Sequence, residues 1–118
     1  MPVTPRIEVI QSDTARIVTF KDRMVFDEKT VREVSDQIGA ALPSNGEPLR
    51  VVLDFSGVDI ISSSLLGKMI LLQRRIDASG GRLRLCELST TVAGVFRTSN
   101  LDRLFAIDRD RAAALSGL

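Results

Sequence analysis

The period of apolar and polar positions changes several times along the chain, and each change marks an element. Ile7 to Ile10 and Ala15 to Phe20 are short β-type runs, and Gln11-Ser12-Asp13-Thr14 between them is turn-like. Together they predict an antiparallel hairpin. From Asp27 onward the spacing becomes helical, with Val31, Val34, Ile38, Ala41 and Leu42 on one face and Asp27 placed as the N-cap. Glu28 with Arg32, Lys29 with Glu33, and Arg32 with Asp36 stand four apart on the solvent side. Pro43-Ser44-Asn45-Gly46-Glu47-Pro48 stops this helix.

Leu49 to Phe55 is a mostly apolar run that predicts a central strand buried on both faces, followed by the loop Ser56-Gly57-Val58-Asp59. After Ser62-Ser63-Ser64 the helical spacing returns at Leu65, Met69, Leu72 and Ile76, and Ser79-Gly80-Gly81 ends it. Arg82 to Leu88 is the next strand. Strand, helix and strand with short connections imply a right-handed parallel crossover. Thr90 can cap a short helix through Val92, Val95 and Phe96; Arg103 to Ile107 forms a last strand and Asp108 to Leu115 a last short helix. The expected order is β-β-α-β-α-β-α-β-α in one domain over residues 1–118, with no repeat and no linker.

Composition removes several function classes. At 118 residues and 44% hydrophobic, the chain can pack one core without staples. A net charge of +1 with 26% charged residues carries no basic stripe, so nucleic acid is not an expected partner. The N-terminus lacks the pattern of a signal peptide and no apolar run nears the roughly 18 residues of a membrane span, so no membrane partner is expected and a cytoplasmic location is. Histidine is absent and Cys86 is the single cysteine, so a Ser-His-Asp arrangement and a zinc site of known type cannot be built. Cys86 reads as a small core residue. No cofactor is expected. Gly57 and Gly67 do not make a phosphate-cradling loop, which leaves an enzyme built on Asp54, Asp59 or Lys68 without its main support. Phe96 and Phe105 read as core; Arg74 and Arg75 read as a solvated helix face or as the rim of a partner surface, and the run Asp108-Arg109-Asp110-Arg111 as a solvated helix start.

Ser62-Ser63-Ser64 is the candidate functional centre. It follows a buried strand and opens a helix, where unpaired N–H groups and a partial positive charge favour an anion. Ser62 or Ser63 as N-cap would contribute about 1 kcal/mol, and one reading of the run stops there. The other is a covalent phosphate, which adds about −1.5 to −2 charges at one spot and repels a partner that buries the surface. Asp59 adds to the local negative field.

The stretch Val51-Val52-Leu53-Asp54-Phe55-Ser56-Gly57-Val58-Asp59-Ile60-Ile61-Ser62-Ser63-Ser64-Leu65-Leu66-Gly67 resembles the signature of the STAS domain, whose simplest members are bacterial anti-sigma factor antagonists. Gly80 to Cys86 and Val95 to Phe105 resemble the family's later parts. The resemblance implies an α/β fold of STAS (SpoIIAA-like) type: a mixed four- to five-stranded β-sheet flanked by about four α-helices. It implies partner switching. An unphosphorylated antagonist binds an anti-sigma factor serine kinase of the histidine-kinase-like ATPase type, serine phosphorylation releases it, and a PP2C-type phosphatase restores binding. By the same resemblance Ser63 is the phosphoacceptor, with Ser62, Ser64, Asp54, Ser56, Asp59, Leu66 and Gly67 as supporting or partner-binding residues and no catalytic residue. Ser62 stands where many members carry Asp, Leu65 replaces a frequent Gly, and Lys21 to Asp27 departs from the usual Gly-containing turn. The alternative is a STAS module that is not phosphorylated and serves as a scaffold or ligand sensor in a signalling assembly.

Overall fold

The computed structural model describes residues 4–118. The hairpin forms as the pattern predicts: β1 (Ile7–Gln11) pairs antiparallel with β2 (Arg16–Phe20). β4 (Arg50–Asp54) and β6 (Arg82–Cys86) follow as parallel neighbours, and β7 (Ala106–Asp108) closes the sheet in the order β1-β2-β4-β6-β7. A second, two-stranded sheet joins β3 (Met24–Val25) and β5 (Ile60–Ile61) in parallel. The sequence gives no sign of it, because two residues are too few to carry a period.

Alternation along the strands divides the interior in two. Val18, Phe20, Val51, Leu53, Phe55, Leu83 and Leu85 face α1 (Glu28–Ala41), α2 (Ser63–Ala78) and α3 (Thr90–Thr98) in the main core. Ala15, Ile17, Val52 and Cys86 face the other way, against Ala114 of α4 (Arg111–Ser116) and the nearby Leu115 and Leu118. β4 is therefore buried on both faces, as its apolar run predicts. Four phenylalanines bind the large core together. Ring centroids of Phe20 and Phe55 are 4.8 Å apart, Phe55 and Phe96 6.4 Å, and Phe96 and Phe105 5.6 Å, the last two edge to face.

Several local expectations shift. The third helix is capped by Ser89, whose Oγ accepts the Val92 N–H at 3.1 Å, and Thr90 is its first residue. Leu101–Arg103 forms a 3-10 turn, so the last strand starts at Ala106 and not at Arg103. The last helix starts at Arg111 behind an Asp110 cap, because Asp108 is still in the strand. Among the described residues none of the α1 pairs spaced by four closes an ion pair; Glu33 faces Arg6 instead, at 3.7 Å. Arg75 is not free surface: it donates to the carbonyls of Gly39 (3.0 Å) and Leu42 (3.3 Å) and so supplies the cation that α1 lacks in its own last turn. No helix of the described residues is long and apolar enough to cross a membrane.

The join between α2 and β6 runs so close to Leu49 that it leaves no room for a side chain. Arg82 donates its N–H to Leu49 O at 2.8 Å, and a Cβ on Gly81 would lie 1.7 Å from that oxygen. Gly81→Ala is therefore expected to destabilise the protein by about 3 kcal/mol or more in denaturant titration. Gly46→Ala, in open space at a φ of +83°, should cost about 1 kcal/mol.

Candidate functional site

The serine run is set by two neighbours, the chain segment beside it and the helix it opens. Arg23 O accepts the N–H groups of Asp59 (2.7 Å) and Ile60 (3.2 Å), and Val25 O accepts that of Ser62 (3.2 Å). These bonds fix the segment on β3 and deliver Ser62 to the start of α2. Ser62 is the cap: its backbone is extended (φ −105°, ψ 164°) and its Oγ accepts the Leu65 N–H at 3.4 Å. Ser63 and Ser64 occupy the first two helical positions and are exposed. Leu65 and Leu66 point inward and are buried. The leucine that replaces a frequent glycine thus anchors the helix to the core. Gly67 is exposed, and a Cβ there would meet nothing within 4 Å, so the fold does not demand glycine.

The remaining predicted residues sit around this point and not all at it. Asp59 does not leave a free negative charge beside the serines. Arg23 closes on it with Nε at 2.9 Å and Nη2 at 2.8 Å from Oδ2. Asp54 ends β4 on the face opposite α2, at 2% exposure. Its Oδ1 accepts the Ser56 N–H at 2.8 Å, and its Oδ2 accepts from Arg111 Nε (2.9 Å) and Nη2 (2.8 Å). Ser56 is itself exposed and contributes through its backbone. Leu66 belongs to the core and supports the site from beneath.

Sequence reasoning misses two groups. Met24 and Ile60 are register partners in the small sheet, and with Phe26 they lie exposed beside the serines at 55%, 39% and 57%. An exposed Phe directly before a helix cap is a visible signal only once the strand pair is known. Arg111 is the other. It stands in a charge run that reads as solvated, yet it pairs with Asp54, while Asp108 of the same run pairs with Arg84 at 2.7 Å.

Electrostatics follow these contacts. Burial alone would push the Asp54 carboxyl up; the Ser56 N–H and the Arg111 guanidinium outweigh it and hold the group below its ordinary 3.8. Hydrogen bonding from Thr30 likewise lowers Asp27, the cap of α1. Burial, reinforced by the nearby Asp54 charge, pushes the Cys86 thiol up to about 12. Among the described residues no group of three or more His, Cys, Asp or Glu could hold a metal ion.

This geometry stands beside three similarities. Residues 24–116 match the family described as Mlab, STAS domain. The chain belongs to the STAS domain family. BtrV of Bordetella bronchiseptica, described as an anti-sigma factor antagonist, is 39% identical over 75 residues, a match spanning 64% of this chain and 64% of BtrV. An anti-sigma-factor antagonist (STAS) domain protein from Planctomyces limnophilus shares the fold with a TM-score of 0.83 at 21% identity, over 94% of this chain and 96% of that one. The Bacillus cell fate determinant SpoIIAA, solved in its phosphorylated form, does so at 0.66 and 18% identity, over 91% and 95%. The expected STAS architecture, a mixed four- to five-stranded sheet flanked by about four helices, is observed with five strands in the main sheet and four α-helices.

Three outcomes follow for this STAS domain. Ser62→Ala should cost about 1 kcal/mol in chemical denaturation and Ser63→Ala less than about 0.5, because only the first removes a cap. The folded protein should resist thiol-specific labelling near pH 8, and the unfolded chain should react at once, because Cys86 is buried and protonated. Since the folded-state Asp54 is depressed, its stabilisation is complete above the ordinary value of 3.8 and is lost as pH falls through the lower folded value. Unfolding free energies measured down to about pH 2 should fall steeply for the wild type and less steeply for Asp54→Asn.

Proposed function

We propose that this STAS domain is an anti-sigma factor antagonist that works by partner switching, with Ser63 as its phosphoacceptor. The observation that carries the reading is the division of labour at the start of α2. Ser62 caps the helix, so Ser63 stands exposed at the first helical position without a structural duty. A phosphate there meets the free N–H groups and the positive end of the helix dipole, so the fold tolerates it. The exposed strip of Met24, Phe26 and Ile60 alongside is the face a protein partner would cover. Burying about two added negative charges against that partner would cost several times RT.

The partners of this reading are an anti-sigma factor serine kinase of the histidine-kinase-like ATPase type and a PP2C-type phosphatase, and the protein acts in the cytoplasm with transcription. It is a binding module and performs no catalysis of its own. The description of BtrV and the solved phosphorylated SpoIIAA support this reading.

The test uses the cognate ATPase. Incubation with ATP should place one phosphate on Ser63, located by mass spectrometry. Ser63→Asp should weaken binding to the ATPase about a hundredfold, equivalent to roughly 3 kcal/mol, and Ser63→Ala should bind as the wild type does. Unmodified Ser63, with Ser63→Asp still bound, would leave a scaffold that assembles without a switch.

A further inference from the structure

The two faces of the sheet are joined at one buried carboxylate. Asp54 divides its oxygens, giving Oδ1 to the N–H of Ser56 and Oδ2 to the guanidinium of Arg111, the first residue of α4. The Ser56 end leads directly to the serine run. Gly57 turns in the left-handed region at a φ of +85°, Val58 donates its N–H to Phe55 O at 2.9 Å, and Asp59, Ile60 and Ser62 then hang on the carbonyls of Arg23 and Val25. The Arg111 end leads to α4, the helix whose residues pack on the smaller cluster. We propose that Arg111 is a positioning residue: acting through Asp54, it holds the loop that presents Ser62 to Ser64, and so couples α4 to the phosphoacceptor on the opposite face. Its importance for switching rests on the reading of Ser63 above; its hold on the loop does not.

The argument is one of partner loss. A buried carboxylate stays ionised only while its charge is met. Without Arg111, Asp54 must turn toward water or take up a proton. Turning removes the acceptor from the Ser56 N–H, and protonation weakens it. Either change releases the first fixed point of the loop, and the bonds from Val58 onward have less to hold them. Substitutions elsewhere in α4 do not act this way. Leu115 packs against the small cluster, and among the described residues no hydrogen bond joins it to Asp54 or to the loop.

Amide hydrogen exchange on the full chain tests this, comparing wild type with Arg111→Gln, Arg111→Lys and Leu115→Ala. Arg111→Gln should speed exchange at Ser56, Val58, Asp59 and Ser62 about tenfold while the strands of the main sheet keep their protection. Arg111→Lys, which keeps the charge and loses the fork, should recover most of that protection. Leu115→Ala should lower the overall stability without singling out these amides. Unchanged exchange at Ser56 and Val58 in Arg111→Gln, or the same loop-specific loosening in Leu115→Ala, would overturn the proposal. Should Arg111→Gln not fold, Arg111→Lys carries the test through the part of the protection it does not recover: a small but measurable speeding at Ser56 and Val58 that Leu115→Ala does not share supports the coupling, and exchange there identical to the wild type, or a loosening shared with Leu115→Ala, defeats it. Binding of Ser63→Asp to the ATPase separately decides the switch reading, so the two can fail independently.

Discussion

The central strand is covered on both faces, and its last side chain is a carboxylate at 2% exposure. That is the constraint around which the site is arranged. An ionised group cannot be left there unpaired, because desolvation costs several kcal/mol and only a close cation with good hydrogen bonds offsets it. The chain supplies both from opposite directions: the amide of Ser56 from the loop just ahead and the guanidinium of Arg111 from the last helix. Satisfying Asp54 therefore fixes where β4 ends, how the loop turns and where α4 lies. The thiol of Cys86 opposite it in the neighbouring strand is kept protonated by the same burial and the same negative charge.

The second half of the site is built by the small β3–β5 pair. Its few bonds are weak by the measure of a full ladder, but they act where the chain would otherwise be free. Arg23 contributes twice, receiving two N–H groups on its carbonyl and closing its side chain on Asp59. An exposed pair of this kind adds little to stability. Its effect is on register: Met24 beside Ile60 turns outward and Val25 beside Ile61 turns inward. Met24 and Ile60 are thereby exposed together while Val25 and Ile61 hold the segment to the core.

Much of this was legible in the residues and some of it could not be. The β-type run at Ala15–Phe20, the apolar run at Leu49–Phe55 and the helical spacing after Asp27 and Ser64 each span enough residues for a pattern to show, and all four elements are found where the pattern puts them, as Arg16–Phe20, Arg50–Asp54, Glu28–Ala41 and Ser63–Ala78. The STAS likeness rests on the same stretch and is borne out. The misses have two physical origins. Elements of two or three residues, such as Met24–Val25 and Ala106–Asp108, carry no periodicity, so their bounds depend on tertiary pairing. Charged side chains show nothing locally of a distant partner. Arg111 is 57 positions from Asp54 and Arg75 is 36 from Gly39, and each reads as surface until the chain folds.

The same distinction bears on which serine can be modified without harm to the fold. Ser62 is spent on the cap, and its half-buried hydroxyl already accepts a helix amide. Esterifying that oxygen would weaken the cap and crowd the turn fixed by Val25. Ser63 has neither burden, since its backbone is within the helix and its side chain is in water. Ser64, one position further in, shares the exposure, so accessibility alone admits two acceptors. What separates them is the STAS resemblance, under which the proposed acceptor is Ser63, directly after the capping position. In many members that preceding residue is an acid; here it is Ser62, and Asp59 nearby is neutralised by Arg23. On the proposed reading, a phosphate on Ser63 would meet the open end of α2 beside an Asp59 already paired with Arg23.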